Sequence, residues 1–270
     1  MALAVLVLPA CAPRQAPHVP PSAETTLPPD EASARIWQRF RTQAATAEVM
    51  SGPFRISATL RYTDAKGETN RVSALLWGNG RADSPYPLRL DLLAGVGTVV
   101  AKVREDTNSF VAYAPGEQSA YVHEGDGRTL ASFGVPVPLS LGDLTLLLTG
   151  RCGALFFPGA QHNDSGTPEH TLTAEGARFI IPDAKLPGVL ELSSTGAPLS
   201  WREQGQGGWI IGMEPGETNP LQPRRLRISH PKGYSALVVV KDISRVSPPY
   251  SGEQMGLILP PGTGRKALEQ

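Results

Sequence analysis

Aromatic residues are scarce in this 270-residue chain, at 6%. There are only two cysteines, Cys11 and Cys152. That excludes a disulfide-stapled scaffold and a multi-cysteine zinc site. Charge of either sign is not in excess: 25 basic and 25 acidic side chains give a formal net charge of zero. The chain therefore carries no electrostatic footprint for nucleic acid or for an anionic membrane surface. What it has in abundance is Gly (28) and Pro (26). Together they exceed ordinary usage without reaching the level that implies whole-chain disorder. A turn-rich, strand-rich domain with a flexible segment is the first expectation.

The chain opens with an uncharged apolar run, Met1 to Leu8, followed by Pro9-Ala10-Cys11. The run is too short to span a bilayer, which takes about 20 residues. It has the form of a secretory h-region and cleavage site. Leu8-Pro9-Ala10-Cys11 resembles the lipobox of bacterial lipoproteins, although Pro9 is uncommon at its place and no Lys or Arg precedes the run. The resemblance implies acylation of Cys11 as the first mature residue. Ala12, where that family uses Asp for inner-membrane retention, implies the outer membrane. Six prolines between Ala12 and Asp30 predict an extended tether. With Cys11 acylated, Cys152 is expected to be a buried thiol.

From Asp30 to about Met50 the pattern is helical: Ala32, Ile36, Phe40, Ala44 and Ala47 recur at three- and four-residue intervals. Asp30 is the expected N-cap, and Gly52-Pro53 the stop. The period then changes to two. Phe54 to Tyr62 alternates apolar and polar, and Arg71 to Trp77 returns as a hairpin partner. Strands follow at Leu88–Leu92, Thr98–Val103, Phe110–Ala114 and Ala120–Glu124. Short strands joined by tight turns predict an antiparallel meander. Leu139 to Gly150 reads as a short, very apolar helix, with Ser140 and Asp143 at capping-box spacing and Gly150 as its stop. After it, strands are expected at Thr171–Leu172, Arg178–Ile181, Gly188–Ser193, Leu199–Glu203, Trp209–Met213, Leu226–Ser229 and Ser235–Ile243. The proline-rich tail from Ser247 is expected to be irregular.

These elements, in this order, resemble the LolA/LolB-like lipoprotein-carrier superfamily, the outer-membrane LolB branch most closely. The likeness is carried by the lipobox and spacer, the helix with Trp37, and the strands Phe54–Tyr62 and Arg71–Trp77. It continues through Pro87-Leu-Arg-Leu-Asp-Leu-Leu-Ala-Gly-Val-Gly-Thr98 and Gly134-Val-Pro-Val-Pro-Leu139 with its leucine-rich helix. It covers residues 30–150 and fades beyond. It implies an α+β, mainly β fold: a half-open antiparallel β-barrel whose concave face is covered by an N-terminal helix and a short lid helix. The implied divisions are 1–10 as all or part of a signal peptide, 11–29 as lipidated Cys and tether, 30–246 as the half-barrel, and 247–270 as the tail.

The resemblance further implies an apolar cavity for acyl chains of lipoproteins. Its expected lining is Ile36, Phe40, Phe54, Ile56, Leu60, Leu76, Leu90, Leu92, Val99, Leu141, Leu144 and Leu148. Val96 and Gly97 match the family's protruding membrane-insertion loop, with Val replacing the larger Leu. No catalytic group is needed, since each buried methylene contributes about 0.8 kcal/mol to noncovalent capture. The expected role is a non-enzymatic, lipid-anchored protein on the periplasmic face of a Gram-negative outer membrane. It would be a monomer that receives acyl chains, with a periplasmic lipoprotein chaperone as partner. The alternative is an envelope sensor or docking lipoprotein using the same fold without cargo transfer.

Chemistry-bearing residues elsewhere have ordinary explanations. His18, His123, His162, His170 and His230 show no metal-ligand spacing, and no cofactor or metal is expected. No serine stands in a Gly-x-Ser-x-Gly context, and no Gly-rich loop precedes a helix as a phosphate site requires. Arg224, Arg225 and Arg227 read as a solvated strand face.

Overall fold

A computed structural model describes residues 28–46, 52–64, 66–80, 85–125, 129–157, 166–205 and 208–268. Cys11, its apolar leader, the proline-rich segment, His18 and His162 lie outside the described residues.

Helix α1 runs Pro29–Thr46. It starts one residue before Asp30, which sits in the first turn with Glu31, where carboxylates suit the positive end of the helix. The first meander comprises β1 (Phe54–Thr63), β2 (Thr69–Gly78), β3 (Leu88–Ala94), β4 (Thr98–Glu105), β5 (Ser109–Ala114) and β6 (Ser119–Glu124). Next come a 3₁₀ turn at Leu130–Phe133, α2 (Leu141–Leu148) and α3 (Gly153–Phe156). The second meander is β7 (His170–Leu172), β8 (Gly176–Ile181), β9 (Gly188–Ser193), β10 (Pro198–Glu203), β11 (Ile210–Pro215), β12 (Pro223–Ser229) and β13 (Ser235–Arg245). The segment beyond Arg245, expected to be irregular, carries α4 (Gly252–Met255) and β14 (Gly264–Ala267).

The fourteen strands among the described residues form one open sheet, ordered β14-β6-β5-β4-β3-β2-β1-β13-β12-β11-β10-β9-β8-β7. Every neighbour is antiparallel except β14, which adds to β6 in parallel. The two meanders join at its middle, where β1 pairs with β13 from Phe54↔Arg245 to Thr63↔Ser235. The expected mainly β, open architecture with few helices is what is found. The hairpin β12–β13 lies at the join of the halves.

One face of this sheet carries the core. Ile56, Leu60, Leu90, Leu92 and Val103 in the first half, with Phe179, Leu190, Ile211, Leu226 and Val238 in the second, belong to one buried cluster. Period two forces this, since alternate side chains share a face. Two helical covers lie on that inner face. α1 packs on β7, β8 and β9, with the Trp37 and Phe179 rings 4.9 Å apart. α2 packs on β3 and β12 and touches α3. Cys152 is fully buried beside it, and burial pushes its thiol pKa up to about 12, so it is an inert core thiol.

Candidate functional site: the cleft beneath α2

The period-two pattern of the first meander places Ile56, Ala58 and Leu60 on the inner face of β1. Ala74 and Leu76 on β2, Leu90 and Leu92 on β3, and Val103 on β4 face the same way. These meet Leu130, Phe133, Val135, Val137, Leu144 and Leu148 from the 3₁₀ turn, the Val-Pro-Val segment and α2. Between sheet and cover lies a narrow cleft of about 40 Å³ with no polar lining surface at all. That is room for a water or two by volume, far below the roughly 300 Å³ at which small-molecule pockets begin. In this state the protein's own side chains fill the space.

Seven expected lining residues do meet there: Ile56, Leu60, Leu76, Leu90, Leu92, Leu144 and Leu148. The others do not line the cleft. Ile36 and Phe40 are buried on α1, which covers β7–β9 and not the cleft. Phe54 faces inward but lies at the start of β1, against Gly78. Leu141 is buried at the α2 N-terminus. Val99 is turned away by a register shift: Leu92 pairs with Ala101 but Leu93 pairs with Val99, so Val99 shares a rung with outward-facing Leu93. Sequence reasoning missed Ala58, Ala74, Val103 and Val238, although their parity along each strand was the available signal.

The cover is pinned by one buried acid. Glu105, at the end of β4, is fully buried and faces inward between Leu88 and Phe110. Its carboxylate accepts from the Leu141 amide at 2.8 Å, from the Gly142 amide at 3.4 Å and from the Tyr86 hydroxyl at 2.8 Å. These amides are among the orphan donors that open any helix. A helix start also favours negative charge. Ser140 caps the same turn, its hydroxyl accepting from the Asp143 amide at 3.0 Å. Gly142 is required here: a Cβ would sit 2.2 Å from the Tyr86 hydroxyl oxygen. Burial pushes the Glu105 carboxyl above its ordinary pKa, and its three donors pull back only part of the way. Burial, with Glu105 beside it, raises Tyr86 so far that it stays a neutral donor. Asp143 pairs with Lys185 at 2.6 Å, tying α2 to the β8–β9 loop. At the other end Gln222 donates to the Thr149 carbonyl at 3.3 Å.

The β3–β4 loop, Ala94-Gly95-Val96-Gly97, projects Val96 fully into solvent. Gly95 and Gly97 take positive φ values of 52° and 89°, which sets the turn. No group of His, Cys, Asp and Glu that could hold a metal occurs among the described residues. Arg224 and Arg227 are exposed on β12, as a solvated strand face requires, and Arg224 and Arg225 both grip Glu214, which holds its carboxyl below its ordinary pKa. No helix among the described residues is long and apolar enough to cross a membrane.

No protein-family model matches the chain, and no curated protein matches it. Three solved structures overlap it loosely. A LolA superfamily protein from Nitrosomonas europaea is 9% identical, with 79% of this chain and 94% of that one covered and a TM-score of 0.48. A DUF1329 family protein from Desulfovibrio piger is 11% identical, with 84% and 97% covered and a TM-score of 0.48. A putative outer membrane lipoprotein-sorting protein domain from Vibrio parahaemolyticus is 9% identical, with 84% and 97% covered and a TM-score of 0.47.

Proposed function

We propose that this protein binds acyl chains noncovalently between the inner face of β1–β4 and its α2 cover, as a carrier or receptor in the bacterial envelope. One observation supports it above all: the space between sheet and cover is lined without a single polar surface. A dry, wholly apolar slot suits an aliphatic chain, and each methylene transferred from water contributes about 0.8 kcal/mol. No catalytic step is required. Because the slot holds only about 40 Å³, binding must displace the cover. The 129–140 segment and α2 move, and the chain's methylenes take the contacts that Phe133, Val135, Leu144 and Leu148 make when it is closed.

In the full form of this proposal the protein is a LolB-like receptor. Acylated Cys11 anchors it to the periplasmic face of a Gram-negative outer membrane, a periplasmic chaperone hands it lipoprotein acyl chains, and Val96 with Gly97 enters the bilayer during release. The exposure of Val96 is consistent with that last role. The second reading, a docking module that transfers no cargo, draws its support from the same closed cleft, since a filled interior needs no ligand. A fluorescent palmitate analogue titrated into the full chain decides between them. Saturable one-to-one binding that is lost in Ala74→Asp, a half-buried cleft position, is expected of the carrier. No binding to the wild-type protein, or undiminished binding to Ala74→Asp and Ala74→Leu alike, leaves the docking module. Labelled-palmitate incorporation lost on Cys11→Ala tests the anchor separately; labelling that persists removes it.

A further inference from the structure

The outer face of the first meander is covered too, by the C-terminal segment. Asn79 and Tyr250 exchange two hydrogen bonds of 2.8 Å, and the Trp77 and Tyr250 rings lie 6.4 Å apart. Buried Arg89 stacks on Trp77 at 5.4 Å and donates to the Gly256 carbonyl. A capping box at Ser251 and Gln254 forms α4 and seats Met255 in the interface. The chain then crosses the sheet and ends as β14 beside β6.

Between this strap and the sheet a groove of about 510 Å³ remains open. That lies within the range of small-molecule sites. Its floor is Val111 and Val122; its wall is Met255, Leu257 and Leu259. Two guanidiniums reach it, Arg104 and Arg265. Arg104 is held by Asp106 at 2.7 Å. Burial alone would raise the Asp106 carboxyl, but donors from Asn108 and Ser109 together with Arg104 outweigh it and keep it below its ordinary value. That ion pair is internally neutral. Arg265 is exposed on β14 and has no carboxylate partner among the described residues, which leaves the groove one uncompensated positive charge. β14 occupies the edge of β6, so no added strand can pair with β6 itself.

We propose that this groove is a second, independent binding site for a single-chain anionic amphiphile. The carboxylate or phosphate head sits on Arg265, and the aliphatic chain lies along Val111, Val122 and the Met255–Leu259 wall. It is on the opposite face of the sheet from the α2 cleft, since Arg104 and Val111 share one rung while Val103 and Ala112 share the next, inward-facing one. The test uses the full chain and isothermal titration below micelle-forming concentrations, with laurate, dodecyl phosphate, inorganic phosphate and neutral decyl maltoside as probes. Expected results are one equivalent of laurate or dodecyl phosphate in the Ala74→Asp variant, whose α2 cleft is spoiled. Affinity for both should fall roughly tenfold in Arg265→Gln, a substitution at an exposed position of β14. Whichever head binds tighter names the head within the class. Three outcomes overturn the proposal: binding unchanged by Arg265→Gln, binding lost in Ala74→Asp, or either control matching the anionic amphiphiles. Loss in Ala74→Asp alone would still support acyl binding in the α2 cleft, so the two proposals fail separately.

Discussion

The first meander carries two apolar sites, the inner one on β1–β4 and the outer one on β4–β6, and the two are built differently. On the inner face six side chains of the cover meet nine of the sheet, and they interlock until about 40 Å³ is left. On the outer face the strap bridges the strands at Trp77, Arg89 and β6 and leaves about 510 Å³ open. The inner cleft has no polar lining; the outer groove has two arginines. Any ligand of the first must displace protein, whereas a ligand of the second displaces only water. The difference lies in what fastens each cover. α2 is held by apolar packing, by the buried Glu105 carboxylate and by two further polar contacts, Asp143–Lys185 and Gln222–Thr149. The strap is held by backbone pairing and stacked rings spaced along its length.

The largest effect that should separate the two faces is thermodynamic. Phe110 is fully buried on the inner face, so Phe110→Ala should cost about 3–5 kcal/mol. Val111, its half-buried neighbour on the outer face, should cost under about 1.5 kcal/mol as Val111→Ala. Urea unfolding of the two variants measures this directly, and equal costs would erase the contrast.

Next in size is the latch. Glu105→Ala leaves the Leu141 and Gly142 amides without their acceptor, at about 1–3 kcal/mol. The loss should be local. Hydrogen exchange should quicken across 129–149 while the strap at 250–268 keeps its protection. Faster exchange in both segments would show that the two covers are coupled.

A smaller effect follows from proton linkage. The Glu105 pKa is raised in the folded protein, so the folded state holds this proton more tightly than the unfolded chain does. The resulting stabilisation is complete below the unfolded value of about 4.3 and is lost as pH rises through the folded value. Glu105→Gln cannot titrate. The stability of wild type minus that of Glu105→Gln should therefore fall with rising pH across that window, as urea midpoints at several pH values would show. A difference that rises with pH would contradict the assignment.

Smallest in stability is Val96→Asp. The side chain is fully exposed, so the change should stay within about 0.5 kcal/mol. If the β3–β4 loop enters bilayers during release, the same substitution should still abolish transfer of a bound acyl probe to vesicles. Unchanged transfer would remove Val96 from the mechanism.

Strand positions were legible because period-two alternation is a local signal. Phe54–Tyr62 became β1 (Phe54–Thr63) and Gly188–Ser193 became β9 without change. Leu90 and Leu92, expected in the cleft from the resemblance, have the inward parity of β3. What could not be read was non-local. Parity does not say which part of a sheet a helix will cover, so the packing of Ile36 and Phe40 over β7–β9 was not readable. Nor does strict alternation anticipate the shift at Leu92/Leu93 that turns Val99 outward. The strap did leave a trace: in Phe110-Val111-Ala112-Tyr113-Ala114 both faces are apolar, which a strand with one solvated face does not show. Glu105 left none, since a buried acid is set by the three-dimensional meeting of β4, Tyr86 and α2.

Opening of the α2 cleft to take an acyl chain is followed by titrating a fluorescent palmitate analogue into the wild-type chain while hydrogen exchange is measured across 129–149. Saturable binding at one equivalent, with exchange in that segment changing in step and Ala74→Asp abolishing both, is the predicted result. Exchange that stays constant while the analogue binds, or an analogue that fails to bind, would contradict it.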